Sequence, residues 1–179
     1  MSLETTFLEV PHAPAVLKHG LLRRYLPLFA SKANPASAQG RVAFLDGHAG
    51  PGAYRVGPPG SPTLAFATME KLQRFRDLRS WFIEKDADHH AELTRVLGTI
   101  PGSRTLKGDL DSHLTAVLRQ TADAPLIAFF EPFEMGVRFE SLAGEVMGRD
   151  SNTEVILHFS RKGFDRYTSY LSAPQGDPM

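Results

Sequence analysis

The sequence predicts a single α/β domain with a mainly parallel sheet and helices on both faces. Short runs of β-branched and aromatic residues alternate with amphipathic stretches of about ten residues, a pattern typical of right-handed βαβ units. A length of 179 residues suits one domain. Because 42% of the residues are hydrophobic and 22% are charged, the chain can bury a core and is neither disordered nor a coiled coil.

The elements follow a regular order. Residues 1–40 are expected to form a helical cap and loop, with the cap helix in APAVLKHGLLRRYLPLF kinked or ended by Pro27. Residues 41–166 are expected to form the core, and 167–179 a tail. The predicted strands are RVAFLD, RSWFIEKD, SRTLKGD, PLIAFFEPF and TEVILHFS. The helices between them are TLAFATMEKLQRF, ADHHAELTRVL, LDSHLTAVLRQ and RFESLAGEVM, the first with Ser61 as its N-cap and Pro62 at its first position.

Charge and composition exclude several classes of function. Twenty basic and twenty acidic residues cancel, so there is no global nucleic-acid signal. Without cysteine there is no disulfide framework or thiolate nucleophile. The histidine spacings match no metal-ligand pattern, so we predict no metal site. The amino terminus has no basic, apolar leader and no stretch is long enough to span a membrane, so a cytoplasmic protein is expected.

Each of the first four predicted strands carries an acid at its carboxyl end, namely Asp46, Glu84, Asp109 and Glu131. In an open α/β sheet, ligands bind beyond the carboxyl ends of the strands. Any one of these acids is equally well explained as a solvated loop residue or a helix cap. Four in succession favour a ligand with several hydroxyl and amino donors.

The glycine turn after the first predicted strand narrows the choice of ligand. GPGAYR keeps only the first two glycines of the dinucleotide fingerprint, with Arg55 at the third position, so an NAD-dependent oxidoreductase is a weaker alternative. Asp46 beside the turn repels phosphate and attracts a cation, while Glu84 is placed to hold ribose hydroxyls. A nucleoside with a positively charged, phosphate-free tail fits this combination, which indicates S-adenosylmethionine.

The motifs DGHAGPGAY, GSP, FIEKD, GD and EPFEMGVRFE occur in the order seen in class I S-adenosylmethionine-dependent methyltransferases, which the chain resembles. More closely, they are similar to the bacterial three-Cys-motif partner protein family. VLKHGLLRRYL together with LDGHAG also resembles the bacterial methyltransferase of adenine N6 in large-subunit ribosomal RNA. The resemblance covers residues 11–166. It implies a Rossmann-like class I methyltransferase fold, here lacking its last two strands, and methyl transfer to a nucleic acid.

The resemblance also implies which residues hold the cofactor. Lys18 and His19 would close over it from the first helix, Glu84 would bind its ribose, and Asp109 the adenine amino group. The adenine ring would lie between Lys85 and Leu110. Its amino-acid portion would be surrounded by Asp46, Gly47, His48, Ala49, Gly50, Pro51, Gly52, Tyr54 and Ser61.

The catalytic position implied by the resemblance is Glu131, Pro132 and Phe133. Glu131 would accept a hydrogen bond from the target amine, Pro132 would wall the pocket, and Phe133 either stacks a flipped base or packs in the core. Adenine-N6 enzymes have Asp/Asn-Pro-Pro-aromatic here and the partner family has Asp-Pro-Phe-Gly, whereas this chain has EPFE. A second hypothesis therefore stays open: a catalytically impaired S-adenosylmethionine-binding or scaffold protein that acts through a partner chain.

Two kinds of partner are expected. RNA or DNA is indicated by the resemblance, with two basic stretches as candidate phosphate contacts, although a solvated helix face also explains the first. These stretches contain Lys71, Arg74, Arg76 and Arg79, and then Arg161, Lys162 and Arg166. The last strand, TEVILHFS, is expected at a sheet edge, where it would pair with a second copy or another protein.

Overall fold

The structure, a computed structural model, describes residues 13–33, 40–52, 60–72, 76–130 and 140–158. Four α-helices lie within these ranges: α1 (Ala13–Lys32), α2 (Ser61–Leu72), α3 (Ala87–Leu97) and α4 (Leu110–Gln120). A short π-helical segment, Ser141–Val146, follows them. The strands are β1 (Arg41–Asp46), β2 (Asp77–Glu84), β3 (Ser103–Lys107), β4 (Leu126–Phe130) and β5 (Thr153–Leu157).

The five strands form one parallel sheet in the order β3-β2-β1-β4-β5. The chain builds outward from β1 through β2 to β3, then returns to the other side of β1 for β4 and β5. The central strand is paired on both sides to its end, with Asp46 opposite Phe82 in β2 and Phe129 in β4. The predicted α/β fold with a parallel, Rossmann-like sheet is therefore confirmed.

Both faces of the sheet are covered, so the central strands read as continuous apolar runs. On one face, Phe44 packs edge-to-face on Phe82, with ring centroids 5.8 Å apart, beneath buried residues of α1, α2 and α3. On the other face, Leu45 and its neighbours pack against α4 and the π-helical segment. Successive side chains of a strand point to opposite faces of the sheet, so the strand RVAFLD contributes residues to the cores on both faces.

Helix α1 continues through Pro27 to Lys32, so the prediction that Pro27 ends it is wrong. A proline inside a helix costs about 3 kcal/mol or more. Beyond Pro27, however, the side chains of Phe29 and Ala30 are buried in the core. Burying a phenylalanine alone recovers about 1.5–3 kcal/mol, and hence packing keeps the second half of the helix in place.

The first helix of the core begins one residue earlier than predicted. The N–H of Leu64 donates to the carbonyl of Gly60 at 3.0 Å, which places Gly60 at the N-cap, Ser61 at the first helical position and Pro62 at the second. Pro62 is still tolerated there, because the N–H that proline lacks would have no partner within the helix.

The predicted helix RFESLAGEVM is described only in part and has a different hydrogen-bonding pattern. Ser141–Val146 is π-helical, and the N–H of Met147 donates to the carbonyl of Leu142, five residues earlier, at 3.0 Å. Residues 131–139 lie outside the described part of the chain, as do 159–179 with Arg161, Lys162, Arg166 and the predicted tail. In the described ranges, no helix is long and apolar enough to cross a membrane.

The described residues of the first basic stretch do not share one helix face. Arg76 lies between α2 and β2, and its guanidinium Nε donates to the carbonyl of Ala30 at 3.0 Å, near the end of α1. Arg79 lies in β2 and forms an ion pair with Asp77 at 2.9 Å. Lys71 is exposed in the last turn of α2, while Arg74 lies outside the described residues. Arg76 therefore links α1 to the start of β2, whereas the Arg79 pair lies within one strand.

Candidate functional site

The candidate site lies at the carboxyl ends of β1 and β4, where the strand order reverses. The connection after β1 runs toward β2, whereas β4 lies on the opposite side of β1, so a crevice is expected between these two strand ends. The glycine turn, residues 46–52, leaves β1 at this point. This is the position at which open parallel sheets bind their ligands.

The glycine turn is fastened to both neighbouring strands and to α2. The N–H of Gly47 donates to the carbonyl of Phe129 at 3.0 Å, and the N–H of Ala49 donates to the carbonyl of Ile83 at 3.0 Å. At its far end, the carbonyl of Gly52 accepts a bond from the hydroxyl of Thr63 at 2.6 Å. The backbone of the turn is therefore held in one conformation by three elements.

Asp46 stabilises the start of the turn. Its side chain is fully buried, and its Oδ1 accepts a hydrogen bond from the N–H of His48 at 3.1 Å, two residues along the chain. This is an Asx-type contact, which favours a turn over continuation of the strand. Because the carboxylate is not exposed, Asp46 would act on a cationic ligand through the field it places beneath the turn.

Glu84 links the turn to the start of α3. It is 9% exposed, and its Oε2 accepts a bond from the N–H of Gly50 at 2.8 Å. Its Oε1 accepts one from the N–H of Asp86, also at 2.8 Å. An ionised carboxylate has about four lone-pair sites, so two backbone donors leave capacity for two hydroxyl donors.

Two glycines of the turn are required for different reasons. At Gly47, a Cβ atom would lie 2.7 Å from Cδ1 of the Phe130 ring and 3.1 Å from Cδ1 of Leu110, which is too close. At Gly50, the backbone has φ +68°, a left-handed conformation, and a Cβ atom would meet no atom of the described residues within 4 Å. Gly47 is therefore needed for packing, whereas Gly50 faces open space.

Asp109 is the N-cap of α4 and does not end a strand, because β3 ends at Lys107. Its Oδ1 accepts bonds from the hydroxyl of Ser112 at 2.5 Å and from the N–H of Ser112 at 2.8 Å. These bonds, the hydroxyl bond first, hold the pKa of Asp109 below its usual range. The helix-cap explanation is correct for this acid. Both bonds go to one oxygen, so Ser112 leaves Oδ2 to other donors.

Of the three acids that the structure describes, Asp46 and Glu84 therefore stand at the last position of a strand and Asp109 does not. Strand β4 ends at Phe130, and Glu131, Pro132 and Phe133 lie outside the described residues, as does Tyr54. The flanking positions differ in exposure, since Lys85 is exposed and Leu110 is buried. Pro51 and His48 are partly exposed, and Ala49 is buried.

The carboxyl end of helix α1 lies at the amino edge of the sheet, because Arg76, just before the start of β2, binds the carbonyl of Ala30. His19 precedes Ala30 by eleven residues, which corresponds to about 16 Å of helix. His19 is buried, and the side chains of Lys18 and Ser61 lie outside the described set.

Sequence reasoning missed Asp86. It is the N-cap of α3, its Oδ1 accepts bonds from the N–H groups of Asp88 and His89 at 2.9 Å, and its own N–H is held by Glu84. The bond from His89 is the main reason that the pKa of Asp86 is lowered. An aspartate directly before an amphipathic run is a recognised helix start, so this residue was detectable. Among the described residues, no group of three or more acids and histidines is placed to hold a metal.

The comparisons with known proteins support the fold and nothing finer. No family model matches the sequence, and no curated protein matches it either. A similar structure is the crystal structure of protein LPL1258 from Legionella pneumophila str. Philadelphia 1, family model DUF519. The TM-score is 0.51 at 19% identity, over 74% of this chain and 61% of that protein. The chain thus spans about three-fifths of its neighbour's length and shares its α/β fold.

Proposed function

We propose that this protein binds S-adenosylmethionine at the carboxyl edge of its sheet and transfers the methyl group to a nucleic acid, with adenine N6 as one candidate acceptor. The observation that carries the proposal is the glycine turn itself. It is held against the buried carboxylate of Glu84, and Gly50 presents bare backbone to a space that no described residue occupies. A phosphate-free ligand with a cationic end and ribose hydroxyls suits this combination of donors and acceptors.

Each described residue has a separate task in this proposal. Glu84 accepts the ribose hydroxyls with the lone pairs that its two backbone donors leave. Asp46 supplies negative charge beneath the turn. Asp109 offers Oδ2 to an amino group of the base. When bound, S-adenosylmethionine would supply an electrophilic methyl group, and the protein would contribute mainly by positioning the acceptor in line with it.

The test is calorimetric titration of S-adenosylmethionine and S-adenosylhomocysteine, with NAD as a competing candidate. Glu84→Ala removes the ribose acceptor but also releases the N–H groups of Gly50 and Asp86, so it must be paired with a melting curve. Gly50→Ala leaves Glu84 in place and fills only the open space beside the turn. Glu92→Ala is the control, since Glu92 pairs with Arg95 on the surface of α3.

We expect micromolar binding of the two S-adenosyl compounds, lost in Glu84→Ala, weakened at least tenfold in Gly50→Ala and retained in Glu92→Ala. Absence of binding by the well-folded native chain would refute the proposal. Binding of NAD with no response to S-adenosylmethionine would indicate the oxidoreductase alternative.

The second candidate is an S-adenosylmethionine-binding or scaffold protein without transferase activity. The sequence EPFE at residues 131–134 favours it, because glutamate is one methylene longer than the aspartate of related motifs. A displacement of about 1 Å in a positioning group can cost about 10²-fold in rate. Radiolabelled methyl transfer to pooled RNA and DNA separates the candidates: cofactor binding without incorporation supports the scaffold, and incorporation supports the enzyme.

We also propose that β5 is a pairing surface for a second copy of the chain. Strand β5 is at one end of the described sheet, next to β4 alone within the described residues, and Leu157 is 36% exposed. An edge strand offers backbone donors and acceptors to another strand, so pairing across this edge gives a dimer.

A further inference from the structure

Three arginines surround a small cavity at the amino edge of the sheet, on the opposite edge from the glycine turn. The cavity has a volume of about 220 Å³. Arg41 begins β1, Arg79 lies near the start of β2, and Arg104 is the second residue of β3. The strand register brings Trp81 beside Arg104. We call this the arginine pocket, and its lining residues are Arg41, Arg79, Trp81, Gly102, Arg104 and Gln120.

The side chains that line the arginine pocket offer hydrogen-bond donors and no carboxylate. Gln120 accepts a bond at its Oε1 from Arg104 at 2.6 Å, so its amide NH₂ group remains to donate. The guanidinium groups contribute planar sets of N–H donors that match the geometry of an oxyanion. A cavity lined by guanidinium and amide N–H donors suits an anion with several acceptor oxygens.

The charges around the arginine pocket are not balanced. Arg79 pairs with Asp77 at 2.9 Å, and Arg41 pairs with Asp77 at 3.5 Å and with Asp123 at 2.8 Å. Arg104 forms no ion pair with any described residue. The carboxyl end of α4 adds about half a negative charge. Three guanidinium groups against two carboxylates and one helix end leave an excess of positive charge, centred on Arg104.

Trp81 supplies an independent observation. Its side chain is 4% exposed, and its indole Nε1 is a buried donor that has no hydrogen-bond partner in the described structure. Buried donors are normally paired, and Trp81 is one of the residues that line the arginine pocket, so its unpaired N–H calls for an acceptor. An oxygen of a bound anion would provide it.

We propose that the arginine pocket binds a phosphate group, through Arg104 and its neighbouring guanidinium groups and the indole N–H of Trp81. The ligand is either free phosphate or a phosphate of a nucleic-acid backbone, since both present the same acceptor oxygens. This site is separate from the glycine turn, and its existence does not depend on methyl transfer.

The sole tryptophan of the chain makes the proposal directly measurable, because all tryptophan emission comes from Trp81. We would titrate inorganic phosphate, and separately a short polyuridine oligonucleotide, while recording the emission at ionic strength held constant with sodium chloride. Arg104→Gln removes the unbalanced charge but keeps a polar side chain. Arg95→Gln is the matched control, because Arg95 is exposed on α3 and pairs with Glu92.

We expect a saturable emission change that weakens about tenfold or more in Arg104→Gln and stays unchanged in Arg95→Gln. A response to both ligands identifies a nucleic-acid phosphate, and a response to phosphate alone identifies a free phosphate or phosphomonoester. No saturable response, or the same affinity in Arg104→Gln as in the native chain, overturns the proposal. Trp81→Phe removes the donor and also leaves a cavity in the core, so its melting curve is recorded first and phosphate binding is measured by calorimetry well below the transition, where we expect weaker binding than in the native chain.

Discussion

Replacing the glycines of the turn one at a time separates folding from ligand binding. In Gly50→Ala, the new methyl group meets no atom of the described part of the chain within 4 Å, so the expected cost to the fold is that of a left-handed alanine, about 1–2 kcal/mol. For a chain of this size, 1 kcal/mol lowers the melting temperature by about 2–4 °C. Because the methyl group occupies the space assigned to the cofactor, we expect S-adenosylmethionine to bind at least tenfold more weakly, about 1.4 kcal/mol or more.

Gly47→Ala is the matched comparison. Its methyl group would lie 2.7 Å from the ring of Phe130, which is itself fully buried. Overpacking of this kind costs about 1–3 kcal/mol. Melting curves and calorimetry on both variants should therefore show the larger stability loss in Gly47→Ala and the larger affinity loss in Gly50→Ala. If Gly50→Ala binds S-adenosylmethionine within twofold of the native chain, Gly50 does not face the cofactor and the reasoning is wrong.

Three further outcomes can be checked. The pKa of Asp86 is lowered in the fold, so the ionised Asp86 stabilises the protein above the unfolded pKa of about 3.9. This stabilisation is lost as the pH falls below that value. The difference in melting temperature between the native chain and Asp86→Asn should therefore shrink as the pH falls below about 3.9. Arg149→Met should cost about 1–3 kcal/mol of unfolding free energy in denaturant titrations, because Arg149 donates to the carbonyls of Thr121 and Ala124; full stability would contradict this. The chain should be a dimer by light scattering, and Leu157→Lys should make it monomeric; a native monomer would refute pairing through β5.

The sequence predicts the architecture well because the strands are short apolar runs bounded by turn residues. Asp46 and Glu84 end β1 and β2 as expected. The sequence does not predict that α1 continues beyond Pro27, because helix propensity is a local property, whereas the burial of Phe29 that extends α1 depends on the whole core. Asp109 shows another limit, since an acid near a strand end and an acid at a helix start occupy the same short segment, and only geometry separates the two.

The most informative contact of the candidate site joins residues 34 positions apart, the N–H of Gly50 and Oε2 of Glu84. No local sequence pattern encodes this contact. It gives the Glu84 carboxylate two tasks: the group that would bind the ribose also holds the turn that would bind the rest of the ligand. A bare turn can bind only if its backbone is already ordered, since ordering it during binding would consume part of the affinity. Loss of binding in Glu84→Ala alone therefore cannot identify the ribose contact. Only its comparison with Gly50→Ala, where the carboxylate remains, distinguishes a lost ligand contact from a released turn.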